Sequence, residues 1–171
     1  MNKQTLYILG MASLVFLGAV FINLRENSKT EVDYPSDFLS KVQEIENKCT
    51  NDNDSLLLLV NKFRYDNGIS MLNTSQELIE SATWKSNDIV EKDYFSHTNP
   101  EGKKFYQAIL EAGYKYSHSG ENLAKDFNCD SEVVKAWINS QTHKENMLAE
   151  KFRDAGIGRN GTVITIHFGA K

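Results

Sequence analysis

Three short segments carry the side chains most suited to chemistry: Tyr94-Phe95-Ser96-His97, Gly120-Glu121-Asn122-Leu123-Ala124 and Trp137-Ile138-Asn139-Ser140-Gln141-Thr142-His143-Lys144-Glu145-Asn146. Between them they supply an imidazole, a carboxylate and a second imidazole beside a hydroxyl. If His97, Glu121 and His143 converge, they make a general acid/base site or a weak divalent-metal site for Zn or Mg. Glu121 stands just ahead of apolar Leu123-Ala124, separated by Asn122, so it is expected to be partly buried and to need a partner. The bland alternative is a carboxylate at a helix N-terminus, favoured by the dipole. Gly120 before it suggests a backbone conformation that other residues avoid. His118, three residues ahead of Glu121, is a supporting candidate. His167 alternates with Thr165 on the last apolar run and reads as a strand-surface residue.

These segments must be positioned by regular elements. An amphipathic helix is expected at Asp37–Cys49 through Phe38, Val42 and Ile45. A helix at Leu56–Asp66 is capped by Asp54 or Ser55 and stopped by Asn67-Gly68. Thr74 with Glu77 forms a capping-box pattern for Ser75 to about Asp93, whose apolar face is Leu78, Ile79, Ala82, Ile89 and Val90. Helices over Lys104–Ala112 and from Asp130 or Ser131 to Ser140 follow, with a short strand at Tyr114–Ser117. If the last of these helices persists, His143 and Ser140 share a face. Asn160-Gly161 joins Ala155–Arg159 to Thr162–Phe168 in a hairpin. Helices around a few antiparallel strands indicate an α+β fold.

The same segments, with Leu59-Val60-Asn61-Lys62-Phe63-Arg64 and Asn67-Gly68, resemble the CAP superfamily, the SCP domain of cysteine-rich secretory, antigen and pathogenesis-related proteins. The match is to its prokaryotic type and runs from about Leu56 to Phe168. The resemblance implies an α-β-α sandwich with a small antiparallel sheet, and a cleft at His97, Glu121, His143 and Ser140. It departs from the eukaryotic pattern in two places. Ser140 replaces the Trp-x-x-Glu carboxylate, and the late His-Tyr-Thr-Gln segment is matched to Val163-Ile164-Thr165-Ile166, which puts Val163 at its histidine. The family's His/Glu/Glu/His cavity is thereby reduced to His97 and Glu121, with His143 as a substitute. The family fixes a fold more firmly than a reaction. Three functions follow as expectations: a cleft binding an envelope or extracellular ligand (glycan, lipid or peptide), a divalent-metal-assisted hydrolase acting on envelope polymers or peptides, or a structural interaction module.

Leu6 to Ile22 is apolar and uncharged, and as a helix it would span about 26 Å, close to the hydrocarbon core of a bilayer. No small-residue cleavage site follows, so residues 1–24 read as a transmembrane signal anchor, with a cleaved signal peptide and secretion as the alternative. Residues 25–54 then read as a polar juxtamembrane spacer, and 55–171 as the CAP/SCP domain, placed outside the cytoplasm. The formal charge of −4 and the lack of a basic cluster beyond Lys103-Lys104 argue against nucleic acid. The two cysteines, Cys49 and Cys129, suit one disulfide in an oxidising compartment; two buried thiols are the other arrangement the sequence allows. No Gly-x-Ser-x-Gly elbow, His-Glu-x-x-His, P-loop or dinucleotide fingerprint occurs.

Overall fold

The computed structural model describes residues 37–171. The expected anchor at 1–24 and the first part of the spacer lie outside the described residues, among which no helix is long and apolar enough to cross a membrane. The elements run α1 (Phe38–Lys48), α2 (Asn53–Asp66), β1 (Asn73–Thr74), α3 (Gln76–Glu91), α4 (Phe105–Glu111), β2 (His118–Lys125), α5 (Asp130–Asn139), α6 (Gln141–Leu148), β3 (Asp154–Asn160) and β4 (Val163–Ala170).

The sheet order is β1-β3-β4-β2. It is mixed rather than wholly antiparallel, because β1 runs parallel to β3. Alternation along the strands sorts residues to two faces. Ala155, Ile157, Ile164, Ile166 and Phe168 join Leu56, Leu59, Val60, Val133, Val134, Trp137 and Met147 in the main core beneath α2, α5 and α6. The opposite face carries Gly156 and Gly158, and α3 lies directly on them. A Cβ at Gly158 would stand 2.1 Å from the Thr83 backbone nitrogen, and one at Gly156 the same distance from that of Ile79. Helices therefore cover both faces.

Local signals explain most boundaries. The cap of α2 is Asp52, whose carboxylate accepts from Ser55 N at 2.8 Å, two residues ahead of the expected position. Ser75, rather than Thr74, caps α3. Gly68 takes φ +74 past the end of α2, and Gly161 takes φ +57 in the β3–β4 turn. Tyr114 is not in a strand; it is fully buried, and its hydroxyl donates to Asp154 Oδ2 at 2.5 Å. The strand begins at His118 instead and contains the whole Gly-Glu-Asn segment.

The stretch read as spacer contributes α1, whose Phe38 and Val42 are buried in the main core. Its Cys49 is bonded to Cys129, the residue preceding α5, with Cα atoms 4.7 Å apart. Arg64 of α2 is another long-range tie. It is fully buried and donates to the carbonyls of Ser70, Met147, Ala149 and Phe152. Burial, reinforced by the charge of Arg153, pulls its pKa down to about 10, so at neutral pH the guanidinium remains charged and is solvated by carbonyl dipoles at the C-terminal end of α6.

Candidate functional site

Glu121 stands in the middle of β2, opposite His167 of β4 in the register. Its side chain is wholly buried, and its two oxygens go to two imidazoles: Oε1 to His97 Nδ1 at 2.6 Å, and Oε2 to His167 Nε2 at 2.9 Å. Burial pushes the Glu121 carboxyl up, but hydrogen bonds from His167 and His97, with the charge of Lys85, outweigh it and hold it below its ordinary value. The carboxylate accepts from both rings, since it has no proton to give. His97 is consequently anchored at Nδ1, while 55% of its side chain stays exposed.

The loop presenting His97 is gripped from α3. Asp88 accepts from Tyr94 Oη at 2.5 Å, from Asn99 Nδ2 at 3.2 Å and from Lys92 Nζ at 2.6 Å, which holds the chain on both sides of His97. Buried Lys85, one turn before, donates to Tyr94 Oη at 3.0 Å. Its ammonium is disfavoured by burial and supported by Glu121 and Asp88.

His143 arrives from α6. The helix does not persist through Ser140, whose φ −104 and ψ 118 break it into α5 and α6. Ser140 Oγ then meets His143 Nδ1 at 2.8 Å. Burial lowers the His143 pKa, and a charge on His97 lowers it further; α6 lies along the outer edge of β2. Two asparagines join α6 to that edge. Asn146 Nδ2 donates to Glu121 O at 3.0 Å and to Asn122 Oδ1 at 2.9 Å, while Asn122 Nδ2 donates to His143 O at 3.0 Å. Asn146 thus does for β2 what a further strand would do. Gly120 is needed for space rather than for an unusual backbone angle. A Cβ there would come 2.9 Å from the Phe152 ring and 3.2 Å from Asn146 Oδ1.

Of the residues singled out from sequence, His97 and Glu121 are in direct contact, and Ser140 and His143 form a second pair beside them. His118 is exposed and reaches only the hydroxyl of Ser117. Two sequence expectations are corrected. Val163 is not at the site; it packs with Ile89, Leu123 and Tyr94 in a small apolar cluster. His167 is not on the surface but fully buried against Glu121. The signal was present, because a lone imidazole among Val163-Ile164-Thr165-Ile166 and Phe168 is polar in a buried strand and must have partners, but the β2–β4 register that supplies Glu121 is not written locally. The parts played by Asn122, Asn146 and Asp88 were likewise not foreseen, nor was that of Ser81 on α3, whose Oγ lies 2.8 Å from His167 Nδ1.

Among the described residues, no group of three or more His, Cys, Asp or Glu side chains is arranged to hold a metal. A groove of about 440 Å³ lies elsewhere, between α2 and α5, floored by Leu59, Phe63, Val134 and Ile138. It shares no residue with the histidine cluster.

Comparisons with known proteins agree with this architecture. Residues 57–162 match the family model of the cysteine-rich secretory protein family, CAP. The chain is 36% identical over 112 residues to YkwD of Bacillus subtilis (strain 168), covering 64% of this chain and 44% of that protein. It is 27% identical over 119 residues to the membrane protein YlbC of the same organism, covering 70% and 34%. The chain thus spans less than half the length of these curated relatives. Among solved structures, an extracellular SCP-domain protein from Bacillus anthracis superposes with a TM-score of 0.68 at 23% identity, covering 75% of this chain and 43% of that one. An outer surface protein from Borrelia burgdorferi gives 0.65 at 23% identity, covering 69% and 91%. At those identities the likeness speaks for the fold alone. With the family model matched over most of its length, and a mixed sheet between helices holding the matched histidine and glutamate together, this chain belongs to the cysteine-rich secretory protein (CAP) family.

Proposed function

We propose that this chain is a membrane-anchored, extracytoplasmic CAP domain whose cleft at His97, Glu121, His143 and Ser140 binds an envelope or extracellular ligand, a glycan, lipid or peptide. The observation that carries the reading is the geometry of His97. Its Nδ1 is held by a buried carboxylate and its ring is half exposed; in the neutral form a ring that donates from Nδ1 keeps Nε2 as an acceptor. A group so fixed receives a hydroxyl, amide or ammonium without further ordering. Anchoring rests on the apolar Leu6–Ile22 stretch. Binding is tested by following the imidazole Cε1–H resonances of the full chain in detergent. The probes are an N-acetylated amino-sugar oligomer, phospholipid vesicles and an unstructured peptide. A saturable shift at His97 and His143 with one probe, lost in His97→Ala, is the expected result; no shift with any of the three sinks the reading.

A second reading, a divalent-metal-assisted hydrolase, is favoured by one feature. A carboxylate behind an imidazole is the arrangement that orients metal-ligating histidines. His97 and His143 would supply nitrogen ligands and water the remaining positions, so affinity for Zn²⁺ is expected to be weak. It should fall further as pH drops through the histidine range, about 6.5, because the ligand is the neutral ring. Calorimetric titration of wild type, His97→Ala and His143→Ala checks this; tight binding that survives His143→Ala would exclude this ligand pair.

A further inference from the structure

The fully buried histidine of β4 has no part in either function proposed above, yet both its ring nitrogens are engaged. Nε2 lies 2.9 Å from Glu121 Oε2, and Nδ1 lies 2.8 Å from Ser81 Oγ on α3. Ser81 is itself 3.0 Å from the carbonyl of Leu78, to which its hydroxyl can donate. One hydroxyl hydrogen cannot serve both the carbonyl and the ring. Ser81 therefore suits either state of His167. It donates to Nδ1 of a neutral ring, or accepts from Nδ1 while donating to Leu78. In both arrangements Nε2 is the donor to Glu121, because the carboxylate has only lone pairs to offer. The Phe105 ring stands 6.0 Å from the His167 ring and 6.4 Å from the His97 ring, which closes the apolar side of the cluster. Lys85 supplies a buried positive charge that acts on Glu121.

A carboxylate held at one oxygen can still turn about its last torsion; one held at both has a single orientation. The tautomer of a histidine is set by the hydrogen bond its other nitrogen makes. We propose that His167 is a positioning residue for the cleft. By holding Oε2 of Glu121, it aims Oε1 at His97 Nδ1–H and commits His97 to the tautomer whose bare Nε2 faces the cleft. This rests on the reading of His97 as the ligand-facing group. The same register would accommodate an apolar side chain at position 167, and such a residue would fill the space without fixing the carboxylate.

The test reads the tautomer directly, by ¹⁵N long-range correlation spectra of the histidine rings in the full chain, above the pH range where histidines titrate. Wild type is expected to show His97 protonated at Nδ1 and bare at Nε2, a preference of about tenfold or more for one hydrogen bond to a charged acceptor. In His167→Leu that dominance is lost and the Nε2–H form becomes substantial. In His167→Gln, whose amide can donate to Oε2, it returns. Ser81→Ala removes the partner of Nδ1 without touching Glu121, and is expected to shift part of the His97 population in the same direction. An Nε2–H form of His97 in wild type overturns the proposal. So does a His167→Leu spectrum unchanged at His97, or, if that variant does not fold, an unchanged Ser81→Ala spectrum. The expected tautomers together with no response to any probe ligand would leave the positioning role standing and remove the binding function.

Discussion

Glu121 is the residue on which the cluster's charge depends, and its protonation has a sign that can be checked. In the folded chain its carboxyl is held below the ordinary value against the opposing pull of burial, whereas in the unfolded chain it titrates near 4.3. Stability from the ionised form is therefore complete above that ordinary value and is lost as pH falls through the folded one. Glu121→Gln should be less stable than wild type at pH 7 by about 1.5–3 kcal/mol, the range for hydrogen bonds to a charged group. The gap should narrow as the solution is acidified below about pH 4. Urea unfolding at pH 7 and pH 3.5 measures it, and two parallel curves would contradict the assignment. At this scale the sequence was legible where chemistry is local. The Phe-Ser-His and Gly-Glu-Asn segments pointed to His97 and Glu121, which meet at 2.6 Å. It was illegible where a partner comes from a distant strand. His167 faces Glu121 only because Gly120↔Phe168 and Asn122↔Ile166 pair beside it, and a shift of one residue in that register would put the imidazole on the other face.

At the scale of elements, the cluster depends on how closely α3 approaches the sheet. Ser81, Lys85 and Asp88 lie on successive turns of that helix and reach His167, Tyr94 and the His97 loop from it. Ser86 Oγ donates to Gly158 O at 3.0 Å and can accept from Thr165 Oγ1 at 2.9 Å. The approach is permitted by Gly156 and Gly158, where any Cβ would run into backbone rather than into a flexible side chain. Gly158→Ala should consequently move the helix outward, at a cost of about 3 kcal/mol or more in stability, the upper part of the range for overpacking. It should also weaken the Ser81–His167 contact, read as a change in the His167 ring resonances. Wild-type stability in Gly158→Ala would show that α3 has slack against the sheet. The helices themselves were readable from capping residues and apolar periodicity, to within a few residues. The break at Ser140 was not, because periodicity continues through it, and the strand at His118–Lys125 was obscured by Gly120 and a polar start.

For the molecule as a whole, two long-range devices hold the helices on the main-core face. Arg64 links α2 to carbonyls in and after the last turn of α6, and the Cys49–Cys129 disulfide links α1 to the start of α5 across a sequence separation of 80. The second can be removed without leaving a buried charge behind. A loop of that length, if held closed only by the disulfide in the unfolded chain, contributes about 4 kcal/mol in the chain-entropy account. α1 is anchored otherwise by a few side chains, chiefly Phe38 and Val42. Reduction with a small dithiol, or the pair Cys49→Ser and Cys129→Ser, should therefore lower the unfolding free energy by about 4 kcal/mol. Amide exchange should rise in α1 before any other described helix, since local opening follows where few apolar contacts oppose it. His97, Glu121 and His167 sit on the other face of the sheet and are tied to α3, so their ring resonances should not move on reduction. Unchanged stability in the reduced chain would mean that Phe38 and Val42 suffice to hold α1. Movement of the His97 resonance would mean instead that the two faces are coupled through the sheet.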